Sequence, residues 1–161
     1  MNSNNIVLIG FMGSGKSTIA RCLYQHTKKM VLDSDIIISN NENLDIKDIF
    51  LKYGEEYFRK LELEFCNFIK DNVKNSIIST GGGMPSVCNV KDIGKVFFLD
   101  LPFKEIENRL KDSKNRPLFS DTKKAKLLYE QRQEIYKSSC HFIINANKTP
   151  REITQEILQK I

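Results

Sequence analysis

The residues best suited to chemistry form a glycine-rich run, Gly10-Phe11-Met12-Gly13-Ser14-Gly15-Lys16-Ser17. It satisfies the spacing G-x-x-x-x-G-K-[ST] at every fixed position. An apolar run at 6–9 precedes it and reads as a buried strand, and residues 18–24 continue it with helical spacing. A strand, a glycine turn and a helix start make an anion site. Backbone N–H groups can curl around phosphate oxygens, and the helix dipole favours negative charge. The candidate phosphate contacts are Gly13, Ser14, Gly15, Lys16, Ser17 and Thr18. Lys16 would reach the β- and γ-phosphates, and the Ser17 hydroxyl would ligate Mg²⁺. The motif predicts binding of a nucleoside triphosphate and leaves open what happens to its phosphate.

Further along, Asp33-Ser34-Asp35 ends a second apolar run. On an extended segment, carboxylates one residue apart project in opposite directions. One could approach a metal near Ser17 while the other faces an acceptor hydroxyl, the two needs of phosphoryl transfer. A helix cap is the structural alternative for such a pair. Arg59 and Glu62 share a helix face at i, i+3. They form either a surface ion pair or a glutamate-held arginine fork for a substrate carboxylate. Gly81-Gly82-Gly83 at a strand end allows close backbone approach by a ligand. Arg116, followed by Pro117, and Arg132 add cations able to stabilise a transferring phosphoryl group.

The elements that must position these groups alternate. Strand-like runs fall at 6–9, 30–32, 77–78, 96–101 and 142–144, and helical spacing at 16–26, 46–53, 55–72, 103–111, 123–136 and 150–160. This alternation implies one α/β domain over 1–161, a parallel sheet covered on both faces, with the chemistry at the strands' carboxyl ends. The polar stretch 112–121 is a candidate lid. The chain has 161 residues, a net charge of +5 and a pI near 9.0. Its lysines are dispersed, which favours small anionic ligands over nucleic acid. Cys22, Cys66, Cys88 and Cys140 have no C-x-x-C spacing, and the two histidines stand apart, so reduced thiols rather than a zinc site or disulfides are expected. No apolar leader or membrane-spanning run is present, and the expected location is cytoplasmic.

Taken in order, these residues resemble one family, shikimate kinase. The resemblance rests on Gly10 to Ser17, Asp33-x-Asp35, Ile49-Phe50 before Gly54-Glu55, Phe58-Arg59-x-x-Glu62, Gly81 to Gly83, Arg116-Pro117-Leu118 and Arg132-x-x-x-Tyr136. It implies a fold like that of nucleoside monophosphate kinases, with a five-stranded parallel sheet in order 2-3-1-4-5 and helices on both faces. It implies transfer of the ATP γ-phosphate to the 3-hydroxyl of shikimate, with Mg²⁺ as cofactor. Arg59 and Arg132 would bind the shikimate carboxylate, with Gly81, Gly82 and Gly83 completing the pocket. Asp35 would hold ring hydroxyls and help deprotonate the nucleophile. Asp33 would contact Mg²⁺ beside Ser17. Lys16 and Arg116 would stabilise the migrating phosphoryl group, Arg116 arriving on a lid at about 111–123.

By the same resemblance, Ile46, Phe50 and Phe58 would wall a substrate region at about 33–62. Arg109 would stack on adenine, opposed by the loop that holds Lys148 and Pro150. A monomer acting on small molecules, without nucleic acid or membrane partners, is expected. The sequence departs from the family pattern at Ser39, where a glutamate is usual, and at Cys66 and Pro85, where aliphatic residues are usual. Two alternatives remain at this point: another small-molecule kinase of the same fold, of gluconate or nucleotide type, and a non-catalytic ATP-binding switch.

Overall fold

A computed structural model describes residues 3–111 and 121–161. The first strand, β1 (Ile6–Ile9), is buried at every position, as an all-apolar run in the middle of a parallel sheet must be. It leads through the glycine loop into α1 (Lys16–Thr27), which turns Ile19, Ala20 and Leu23 inward. Gly15 caps that helix at φ 99°, a left-handed conformation that strains residues with a Cβ.

Next come β2 (Val31–Asp33), α2 (Ser34–Glu42), α3 (Ile46–Asn72) and β3 (Ile77–Ser79). The second half holds β4 (Lys95–Asp100), α4 (Phe103–Leu110), α5 (Thr122–Ser139), β5 (Phe142–Asn145) and α6 (Pro150–Leu158). All strands pair in parallel, in the order β2-β3-β1-β4-β5. This is the five-stranded order implied above. Since β1 lies between β3 and β4, the glycine loop leaves the sheet where the strand order reverses, the usual crevice of an open α/β sheet.

One local expectation is corrected. Residues 33–35 are not extended throughout. Asp33 caps α2, its Oδ1 accepting from the backbone N–H of Asp35 and Ile36 at 3.1 and 3.3 Å. Asp35 therefore lies in the first turn of a helix that the mixed Ile and Asn pattern of 36–41 hid. The helices expected at 46–53 and 55–72 are both present within α3, separated by a kink at Gly54, whose φ of 83° and ψ of 173° are non-helical. Ile38, Ile49 and Phe58 form a small core of their own between α2 and α3, separate from the main core under the sheet.

Candidate active site

The donor side is the glycine loop and its surroundings. A cavity of about 360 Å³ is lined by Gly13, Gly15, Lys16, Ser17, Thr18, Asp33, Asp35, Gly82 and Arg109, with Met12, Leu110, Ser79 and Thr80 completing it. Lys16 Nζ donates to the carbonyls of Gly10 and Phe11 at 2.7 and 3.1 Å, so the ammonium lies over the loop. Ser14 is buried behind the loop, its N–H donating to Phe11 O at 3.2 Å. Ser17 Oγ donates to Asp33 Oδ2 at 3.2 Å. One aspartate thus caps α2 with one oxygen and faces Ser17 with the other, so the capping and functional alternatives coexist in it.

Two hard oxygen ligands at the cavity edge suit Mg²⁺, which is bound through one or two carboxylates, waters and phosphate oxygens. No group of three or more His, Cys, Asp or Glu side chains capable of holding a metal occurs among the described residues. The donor set therefore fits a metal held largely by phosphate and water, rather than a protein cage.

Beside this loop, after β3, the triple glycine gathers side chains from three helices. A Cβ on Gly81 would lie 2.6 Å from Asp35 Oδ1 and 2.9 Å from Glu62 Oε1. On Gly82 it would lie 3.2 Å from Arg132 Nη1 and 3.5 Å from the Tyr136 hydroxyl, and on Gly83 it would collide with the Arg59 guanidinium. The missing side chains thus make room for the protein's own carboxylates and guanidinia, as well as for a ligand. Ser34 Oγ accepts from Gly81 N at 2.7 Å and ties this segment to α2. Tyr136 donates to Gly82 O at 2.7 Å and ties it to α5.

Electrostatics follow from this crowding. Glu62 is 1% exposed and pairs with Arg59 Nη1. Burial pushes its carboxyl above the ordinary range, the Arg59 pair opposes that, and nearby Asp35 adds to it. Burial disfavours the Arg59 cation, yet hydrogen bonds to Glu62 and Glu55 outweigh it and raise its pKa. Glu55 Oε1 grips the other side of the fork at 3.1 Å. Burial pushes the Tyr136 phenol up to about 12, against the pull of Arg132, so it stays a donor at neutral pH.

The structure thus brings Asp35, Arg59, Gly81, Gly82, Gly83 and Arg132 together. Ile46, Phe50 and Phe58 share the apolar cluster beside α2, with the two phenyl rings 4.7 Å apart. Arg109 Nη2 donates to Ala146 O at 3.3 Å and Nη1 to Gly13 O at 3.5 Å, across the cavity mouth.

Lys148 and Pro150 do not line the cavity. Lys148 pairs with Glu156 at 3.1 Å and Pro150 opens α6, so Ala146 is the part of that loop that meets Arg109. Arg116, Pro117, Leu118 and most of the expected lid lie outside the described residues. Sequence reasoning left out Ser34 as a tie to Gly81, the grip of Glu55 on Arg59, the anchoring of Gly82 by Tyr136, and Ser79 and Thr80 in the cavity lining. Glu55 and Tyr136 stood in quoted motifs and Ser34 between two candidate carboxylates, but nothing in the sequence gave them these roles.

Three comparisons bear on this geometry. The family model described as shikimate kinase matches residues 12–161. A shikimate kinase of Helicobacter hepaticus is 45% identical over 157 residues, covering 96% of this chain and 94% of that one. Among solved structures, shikimate kinase from Acinetobacter baumannii in complex with shikimate superposes with a TM-score of 0.87 at 32% identity, over 97% of this chain and 91% of that one. Shikimate kinase from Aquifex aeolicus gives 0.84 at 39% identity, over 96% and 94%.

Proposed function

The chain belongs to the shikimate kinase family, and from that premise we propose how its residues divide the reaction. The chain is an ATP-dependent kinase with shikimate as acceptor. The observation that carries the division of roles is the convergence of Asp35, Arg59 and Arg132 on Gly81 to Gly83, next to the cavity that Lys16, Asp35 and Gly82 line.

Shikimate is a small carboxylate with three hydroxyls. Arg59 and Arg132 take its carboxylate, because a planar fork binds a carboxylate through two parallel hydrogen bonds. Glu62 and Glu55 hold the Arg59 fork so that little freedom is lost on binding. The Gly82 backbone, fixed by Tyr136, closes the floor. Phe50, Phe58 and Ile46 supply the apolar wall of a region that spans about 33–62. Asp35 accepts from the acceptor 3-hydroxyl, orients its oxygen and takes up its proton.

On the donor side, the N–H groups of Gly13 to Thr18 cradle the phosphates. Lys16 leaves its loop carbonyls for the γ-phosphate and spreads its charge in transit. Arg109 flanks the nucleoside end, and Arg116 adds a second cation to the phosphoryl group. Ser17 and Asp33 would hold Mg²⁺, which supplies charge neutralisation along the phosphates when bound. Lys148 and Pro150 act through the loop that carries Ala146, which meets Arg109.

An acceptor screen tests this reading. With MgATP, ADP release should depend on shikimate and be indifferent to gluconate and to nucleoside monophosphates. Equal stimulation by either of those would reject the shikimate assignment.

A further inference from the structure

Tyr129, Arg132 and Tyr136 recur along α5 at helical spacing and share one face. That face runs from the donor loop to the acceptor segment. At one end, Tyr136 donates to the Gly82 carbonyl at 2.7 Å. In the middle, Arg132 Nη1 lies 3.2 Å from where a Gly82 Cβ would stand. The same guanidinium lies over the Phe11 ring, its central carbon 6.0 Å from the ring centroid. At the other end, Tyr129 meets that ring edge-on, with centroids 5.4 Å apart and planes at 82°.

Phe11 belongs to the glycine loop, at a position that the phosphate-binding spacing leaves open to any residue. It is 1% exposed. Its carbonyl accepts from Lys16 Nζ at 3.1 Å and from Ser14 N–H at 3.2 Å. One residue thus touches the phosphate lysine through its backbone and an acceptor arginine through its side chain.

We propose that Phe11 is a positioning residue for the acceptor: its ring face holds the Arg132 guanidinium in place for the shikimate carboxylate. The proposal rests on Arg132 being a shikimate ligand.

The two arginines are then held by different physics. Glu55 and Glu62 fix Arg59 by taking up its N–H groups. A ring face instead attracts the cation through its quadrupole. It makes no claim on the N–H donors, which stay available for a bidentate bond to a carboxylate. An arginine held beforehand also loses less side-chain freedom when the ligand arrives. The ring itself is well fixed. It is buried, and Tyr129, which packs on it, is anchored by its hydroxyl to the Leu101 carbonyl at 3.0 Å.

Steady-state kinetics of the full chain tests this. Phe11→Leu keeps an apolar side chain and removes the ring. The shikimate KM should rise about three- to tenfold, the range a partly buried cation–π contact gives, with the ATP KM near its wild-type value. Phe11→Met should do the same, and supplies the comparison where the leucine variant does not fold. Phe11→Tyr retains the ring face and should keep the shikimate KM close to wild type. Arg132→Met should raise the shikimate KM by itself, and in that background Phe11→Leu should raise it no further, because the partner is already gone. An equal factor from Phe11→Leu with and without Arg132 would overturn the proposal. So would a rise in the ATP KM in step with that for shikimate, or an unmoved shikimate KM in both ringless variants. An unmoved shikimate KM in Arg132→Met alone would instead remove Arg132 from the acceptor site, and the proposal would fall with that reading.

Discussion

Arg59 stands between Glu55 and Glu62 with its fork fixed on both sides, and an ammonium could not fill that place. Arg59→Lys should raise the shikimate KM roughly 10- to 100-fold, since one lost charge-assisted hydrogen bond is worth about 1.5–3 kcal/mol. The ATP KM should hold steady; an equal rise in both would place Arg59 outside the acceptor site. Asp35 makes the complementary case. It lines the cavity together with Lys16 and abuts Gly81. Asp35→Asn should cut kcat by about 10²–10⁴ while nucleotide affinity stays near normal. Steady-state kinetics of that variant with turnover near wild type would remove Asp35 from the chemistry. Both residues stand out in the sequence because each belongs to a short motif. The contacts of Ser34 with Gly81 and of Glu55 with Arg59 do not, because a hydroxyl or carboxylate that holds a neighbour has no spacing of its own.

At the scale of elements, the triple glycine is the joint between α2, α3 and α5. Gly83 has φ −92°, which any residue can adopt, so Gly83→Ala tests crowding alone. Its methyl would displace the Arg59 guanidinium, and we expect a loss of about 1–3 kcal/mol in folding stability together with weaker shikimate binding. Unchanged shikimate affinity by calorimetry would show that the joint tolerates the methyl.

At the far end, Thr149 and Glu152 form a reciprocal capping box on α6. The Thr149 hydrogen bonds hold the Glu152 carboxyl below its ordinary pKa. Its stabilising effect is present above the unfolded carboxylate pKa and fades as pH falls through the lowered folded value. Thr149→Ala should cost about 1 kcal/mol in urea melts at neutral pH, and the gap to wild type should narrow in acid. A gap that widens in acid would refute the cap.

This box also bears on Lys148 and Pro150. The resemblance points to their loop, but capping decides which of its residues turn toward the cavity that Arg109 lines. The same competition hid α2, where Asp33 caps a helix whose apolar pattern is too short to announce itself.

Across the whole molecule, alternation of strands and helices made the fold class readable, and the order β2-β3-β1-β4-β5 came with the family resemblance. No helix among the described residues is long and apolar enough to cross a membrane. The sheet sets the donor loop at the end of β1 and the acceptor segment at the end of its neighbour β3, so both halves meet at one edge. What the sheet alone does not decide is the acceptor, since the same crevice can serve other small molecules. We propose that this decision lies with Asp35, Arg59 and Arg132. It is tested most directly by phosphorus NMR of the enzyme turning over MgATP with shikimate. We predict one new phosphomonoester signal per ATP consumed, coupled to the ring proton at carbon 3. Free inorganic phosphate as the sole product, or ATP left intact, would contradict the account.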